Sequence, residues 1–156
     1  MAFIDTIRNP FKLKLFFLTK LPMALLAGLG LEYIDNQKSE ISLKYGYLTK
    51  NPFKSLYFAC LAMAAELASG VLVLNSVDTS KQQISTLVTG LEAQFLKKAV
   101  GKIIFTCEDG NAINDKVQET IATKAGVVIK TQSIGKDEKG DVVAIFNISW
   151  SMKAKG

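Results

Sequence analysis

Residues 55–74 read SLYFACLAMAAELASGVLVL, twenty positions with one charge, Glu66. As a helix this stretch is apolar all round and has no face to give to water. A bilayer would take it, since about 20 apolar residues span one. So would a core in which other elements wrap it. A carboxylate at the centre of a membrane span costs about 2.5–3.5 kcal/mol, and Ala, Ser and Gly offset little of that. The chain on both sides carries the amphipathic patterns of a water-facing fold, so the expected element is a buried central helix ending near Asn75. It is entered through the loop Thr49-Lys50-Asn51-Pro52, where Pro52 pushes Asn51 out of helical geometry.

Working outward, the segments Gly30–Asp35 and Ser39–Tyr47 read as strands joined by the polar turn Asn36-Gln37-Lys38. In the second, Ile41, Leu43, Tyr45 and Tyr47 alternate with Ser42, Lys44 and Gly46, the period of a half-buried strand. After the central helix, a strand over Ser85–Leu96 is expected to put Leu87, Thr89, Leu91, Ala93 and Phe95 on one face. A turn over Lys97–Gly101 leads to a strand at Lys102–Cys107. Glu108-Asp109-Gly110 then opens a short helix in which Ile113, Val117 and Ile121 recur every four residues, with Gly126 after it. Two last strands, Val127–Ile134 and Asp141–Met152, flank the charged turn Gly135–Gly140. Val142, Ala144, Phe146, Ile148 and Trp150 share one face of the last.

The remaining segment lies at the start. FKLKLFFLTKLPMALLAGLGL, Phe11–Leu31, is interrupted by Lys12, Lys14 and Lys20. Its clean apolar part is too short to cross ~30 Å, and Lys20 makes it a poor signal peptide. Asn9-Pro10 reads as a turn between two short helices within residues 1–28. Their Phe and Leu side chains pack inward or, as the alternative, rest on a membrane surface. The order of elements describes one α+β domain, 1–156, with a core over 29–152 in which an antiparallel sheet of about six strands curls around one helix.

Composition narrows the chemistry. The 156 residues hold 19 Lys and Arg against 14 Asp and Glu, a formal charge of +5, and 49% are hydrophobic. There is no histidine, which removes Ser-His and Cys-His nucleophile pairs, His-ligated zinc and any His general base. Cys60 and Cys107 are too few for a disulfide scaffold or a four-thiolate zinc site. Set in apolar stretches, they read as buried thiols of a reducing compartment, hence a cytoplasmic protein. No metal and no cofactor is expected. With Arg8 as the single arginine and no basic stripe interleaved with exposed aromatics, nucleic-acid binding is a poor reading.

Two segments carry a resemblance. Asn51–Gly70, NPFKSLYFACLAMAAELASG, is similar to the loop and central helix of phenylacetate-pathway-type acyl-CoA thioesterases. Leu91–Glu108, LEAQFLKKAVGKIIFTCE, is similar to their paired strands. The chain most resembles a bacterial branch of that hot-dog superfamily catalogued as a domain of unknown function. The resemblance implies a hot-dog fold and acyl-CoA or acyl-carrier-protein thioesters as substrates. It also implies a homodimer or dimer of dimers whose sites are shared between subunits.

The family's site positions come over residue by residue. Its loop Asn and central-helix acid, fifteen residues apart, match Asn51 and Glu66. Its main-chain oxyanion donor matches the Phe58 N–H, although the family's His-Gly-Gly is replaced here by Tyr57-Phe58-Ala59, which crowds the approach of a thioester. A Ser or Thr on the following strand matches Thr89 weakly. Chemistry is compatible with these assignments. A carboxylate in a partly dry site activates water or attacks directly, burial raises its pKa, and a helix N-terminus favours an oxyanion. Tyr57, Lys54, Lys97 and Lys98 are the candidate substrate-binding residues, as a basic rim suits the phosphates of coenzyme A.

Bland roles compete with each assignment. Glu66 can hydrogen-bond across a subunit interface, Asn51 can shape a turn, and Phe58 can be a core residue. Cys60 and Cys107 lack a base to activate them. The functional expectations are therefore an acyl-thioester hydrolase centred on Glu66 and, from another class, a non-catalytic hot-dog module that binds an acyl chain. A hot-dog dehydratase is disfavoured because that chemistry needs a histidine.

Overall fold

A computed structural model describes residues 1–156. Three helices come first: α1 (Phe3–Arg8), α2 (Pro10–Lys20) and α3 (Pro22–Leu26). The Asn9-Pro10 signal works as anticipated, with Pro10 in the first turn and the Asn9 carboxamide accepting from the Phe11 and Lys12 N–H groups at 3.0 and 3.1 Å. Pro22 repeats that start at once and makes a third helix where two were expected. Proline is pre-set for a first helical turn and has no N–H to lose there.

Strands β1 (Gly30–Ile34) and β2 (Ser39–Lys44) follow, then the long helix α4 (Phe58–Ser80). This helix starts three residues later than the quoted stretch because Leu56 is held in the preceding loop. Its N–H donates to the Ala99 carbonyl at 2.8 Å, and it bridges to Lys50. The helix runs past Asn75 to a left-handed cap at Lys81. Beyond lie β3 (Ile84–Phe95), β4 (Lys102–Cys107), α5 (Gly110–Thr123), β5 (Val127–Lys136) and β6 (Val142–Ala154). As the spacing implied, Ile113 and Val117 of α5 are fully buried.

The six strands form one antiparallel sheet in the order β1-β2-β4-β5-β6-β3. It wraps α4, which packs on β2, β4, β5 and β6 while α5 covers its other side. Ala64, Ala65 and Ala68 are 0% exposed, and these small side chains let the helix sit close to the strands. This is the hot-dog arrangement. By length and hydropathy α4 could cross a membrane, but most of it is enclosed by the sheet.

Polar ties set how the helix is rotated. Ser133 of β5 donates to the Ala65 carbonyl at 2.7 Å, and Ser39 of β2 donates to that of Ala68. Trp150 of β6 donates its indole N–H to Ser69 Oγ at 3.0 Å, and Ser69 in turn donates to the Glu66 carbonyl at 3.0 Å. Three strands thus grip one turn and a half of helix, centred on the turn that carries Glu66.

One expected face is corrected. The pairing of β3 with β6 shifts between Val88 and Gly90, a bulge that changes the phase of the strand. Thr86 and Val88 pair with the buried Met152 and Trp150, then Leu91, Ala93 and Phe95 pair with the buried Ile148, Phe146 and Ala144. Leu87 and Thr89 therefore turn to the opposite face, and the five residues do not form one row.

Candidate active site

The loop between β2 and α4 is built around Asn51. Its Oδ1 accepts from the Phe53 and Ser55 N–H groups at 2.9 and 3.2 Å, and its Nδ2 donates to Ser55 Oγ at 3.0 Å and to the Leu56 carbonyl at 3.2 Å. Lys54 takes a left-handed conformation, φ 62°, to close the turn. The carboxamide is thus engaged on both sides in shaping the loop. From there the chain enters α4 with no side-chain cap. The Tyr57 carbonyl accepts from Cys60 and Leu61, whereas the Phe58 and Ala59 N–H groups meet no acceptor in the protein. They are the free donors every helix start presents.

A cavity of about 620 Å³ opens in front of these donors, lined by Asn51, Phe53, Tyr57, Phe58, Leu61, Phe95, Lys97 and Lys98 among others. Five of the candidates meet there: Asn51, Tyr57, Phe58, Lys97 and Lys98. Lys54 is exposed at the loop tip and does not line the cavity. The lysines differ in how free they are. Lys97 Nζ lies 2.7 Å from both Asp137 and Asp141, and those carboxylates raise its pKa and engage its charge. Lys98 donates to the Phe53 carbonyl at 2.9 Å and clamps the loop. The basic rim is weaker than the lysine count implied, because its acids lie about 40 residues further along the chain.

Glu66 lies elsewhere. From Phe58 it is eight residues along α4, about 12 Å at 1.5 Å per residue. It opens into a second cavity of about 240 Å³, roofed by Lys20, Leu21, Pro22, Met23 and Ala24 and walled by Leu29, Met63 and Leu67. Its half-buried carboxylate makes no ion pair, and partial removal from water pushes its pKa up from the usual carboxylate value. Gly70 makes room for it, since a Cβ there would stand 3.3 Å from Glu66 Oε1 and 3.6 Å from the Trp150 ring. Within one chain, Asn51 and Phe58 come together and Glu66 does not join them.

Thr89 joins neither cavity. It sits at the bulge of β3, donating to the Ser149 carbonyl at 3.4 Å. Both cysteines are buried and free. Burial pushes the Cys60 thiol up and that of Cys107 to about 12, so neither is a ready nucleophile. No group of three or more acidic, cysteine or histidine side chains converges to hold a metal ion. The roof over Glu66 escaped the sequence reading. Its signal was Pro22, which restarts a helix and turns Leu21–Ala24 back over α4.

Fold and site together describe a protein of the hot-dog fold with a cavity at the start of its central helix. The chain belongs to the family described as Domain of unknown function (DUF4442), which matches residues 12–152. Among solved structures it is similar to a Pseudomonas aeruginosa protein of unknown function described as a probable thioesterase. The two are 21% identical with a TM-score of 0.79, over 94% of this chain and 97% of that one. A protein of unknown function from Chlorobaculum tepidum superposes with a TM-score of 0.78 at 17% identity, over 93% and 94% of the two chains. A Haemophilus influenzae thioesterase does so at 0.64 and 12%, over 90% and 88%. At these identities the likeness is one of fold. No curated protein matches the chain.

Proposed function

We propose that this protein is an acyl-thioester hydrolase acting on acyl-CoA or acyl-carrier-protein substrates, with Glu66 as the base. The carrying observation is the Glu66 carboxyl itself: half-buried, without an ion-pair partner, partly desolvated and beside a cavity. With its pKa raised, the carboxylate takes a proton from water more readily at neutral pH. The resulting hydroxide adds to the thioester carbon while the carbonyl oxygen accepts from the free Phe58 N–H at the positive end of α4. Collapse breaks the C–S bond, the thiolate takes the proton back from Glu66, and a carboxylic acid and a thiol leave.

In this reading two copies complete the site, one supplying the loop and the Phe58 N–H, the other Glu66. The ~12 Å between the two groups along one helix supports sharing. So does the exposed apolar surface at the free edge of β3 and the start of α4, where Leu91, Phe95 and Phe58 are 47–59% exposed. An uncovered strand of this kind invites a second copy. Asn51 then acts by holding the loop that aims the donor, and Tyr57 and Lys98 by lining the approach. Thr89 is left without a role.

The test is thiol release from short-, medium- and long-chain acyl-CoAs and acyl-carrier proteins, with Glu66→Gln beside the wild type. We expect loss of about 10²–10⁴ in rate, the usual worth of a positioned base, with the fold and the oligomer intact. Undiminished turnover in the variant would remove Glu66 from the mechanism. The second reading, a non-catalytic acyl-binding module, draws on the Tyr57-Phe58-Ala59 crowding of the donor. It is favoured if the wild type turns over nothing yet retains an acyl ligand on purification.

A further inference from the structure

We propose that the outer face of α2 and α3 docks on an anionic phospholipid bilayer. Helix α2 is apolar on two opposite sides. Leu13, Phe16 and Phe17 pack inward. Phe11, Leu15 and Leu18, spaced four and three apart, form a second row toward solvent and are 77%, 50% and 60% exposed. Met23 and Leu26 of α3 add to the exposed apolar side chains of this segment at 61% and 57%. At about 100° per residue the outer row of α2 spans roughly 60°, with Lys14 beside one edge and Lys12 beside the other. An interfacial helix has this layout: an apolar strip enters the headgroup boundary, and flanking lysines snorkel so that their charges stay at the phosphates.

Charge selects the occupant. From Thr6 to Leu31 the chain carries Arg8, Lys12, Lys14 and Lys20 and no acid. None of the three lysines is in an ion pair. Lys12 and Lys14 flank the apolar strip, while Lys20 lines the Glu66 cavity and Arg8 donates to the Ile34 carbonyl at 2.8 Å. Two cations free of ion pairs beside an apolar strip, with no acid among residues 6–31, complement a negatively charged lipid surface. The same short helices roof the Glu66 cavity, so a docked molecule holds that cavity toward the bilayer. The inference stands independently of thioester hydrolysis.

The experiment is co-sedimentation of the full chain with vesicles of phosphatidylcholine alone and with about a third phosphatidylglycerol. Binding to the anionic vesicles is expected to be about tenfold stronger than to neutral ones and to weaken in high salt. The triple variant Phe11→Ser, Leu15→Ser, Leu18→Ser leaves the inner side untouched and should lose about tenfold or more. Lys12→Glu with Lys14→Glu keeps the strip but should lose the preference for anionic lipid. Matching melting curves show that both variants fold. The proposal is overturned if neither vesicle takes down the wild type, or if the serine variant binds as well as it. It is equally overturned if that variant merely splits an oligomer, which would assign the face to a second copy.

Discussion

Glu66, the proposed base, is a residue whose partial burial costs stability at neutral pH. Its ionised form is disfavoured by loss of water and is compensated by no partner. The sign of the pH effect follows from the raised pKa. Folding favours the protonated acid, so the stability linked to Glu66 is present at low pH. It declines as pH rises through the ordinary carboxylate range toward the raised value, then levels off. Glu66→Gln should therefore melt above the wild type at pH 7.5, with the gap closing toward pH 4. A gap independent of pH would mean that the carboxyl is not held out of water. Gly70 gives a second handle. Alanine there gains about 0.5–1 kcal/mol of helix preference, while its Cβ stands 3.3 Å from Glu66 Oε1. The flexible carboxyl end yields rather than the backbone. Gly70→Ala should keep the melting temperature and lower turnover by on the order of tenfold through misplacement. An unchanged rate would show that the position of the carboxyl over Gly70 is immaterial.

At the scale of elements, the contact between β4 and β5 turns on a missing side chain. Phe105 pairs directly with Gly135, and a Cβ on Gly135 would stand 2.6 Å from the Phe105 ring. That ring is fully buried and stacks edge-to-face with Phe146 at 5.6 Å, so it has nowhere to move. Gly135→Ala should cost about 1–3 kcal/mol by overpacking, read as a fall in denaturation midpoint at unchanged slope. A neutral result would mean that the ring has slack the packing does not suggest. The same scale shows where periodicity misleads. Alternation along β6 is regular and its buried face was legible, because Ala144, Phe146, Ile148 and Trp150 meet the helix side without interruption. Along β3 a bulge flips the phase at Val88–Gly90, and nothing short of the pairing partner announces it.

For the molecule as a whole, the proposed shared site makes a quantitative demand. Glu66→Gln and Asn51→Ala each disable a different half. Mixed and allowed to exchange subunits, two inactive preparations should regain about a quarter of wild-type activity, because half the dimers are mixed and each has one intact site. No recovery, with exchange verified by mass, would place both halves of the site in one chain.

The sequence alone determined the class of fold. An apolar helix with one charge, flanked by alternating strands and one amphipathic helix, has few ways to hide from water, and wrapping it in a sheet is the one the strands permit. Its resemblance to the thioesterases also singled out Asn51, Phe58 and Glu66 as candidates, because the matching positions lie in one loop and one helix. Only the tertiary structure decided what those residues touch. Lys97 keeps its charge but is engaged by Asp137 and Asp141, Asn51 spends its carboxamide on its own loop, and the roof over Glu66 comes from residues 20–24. Spacing along a chain records which side chains share a helix face or a turn. Which charge is paired, and which carboxyl is drawn partly out of water, depends on contacts between segments 40 residues apart, and those exist only once the sheet has closed around the helix.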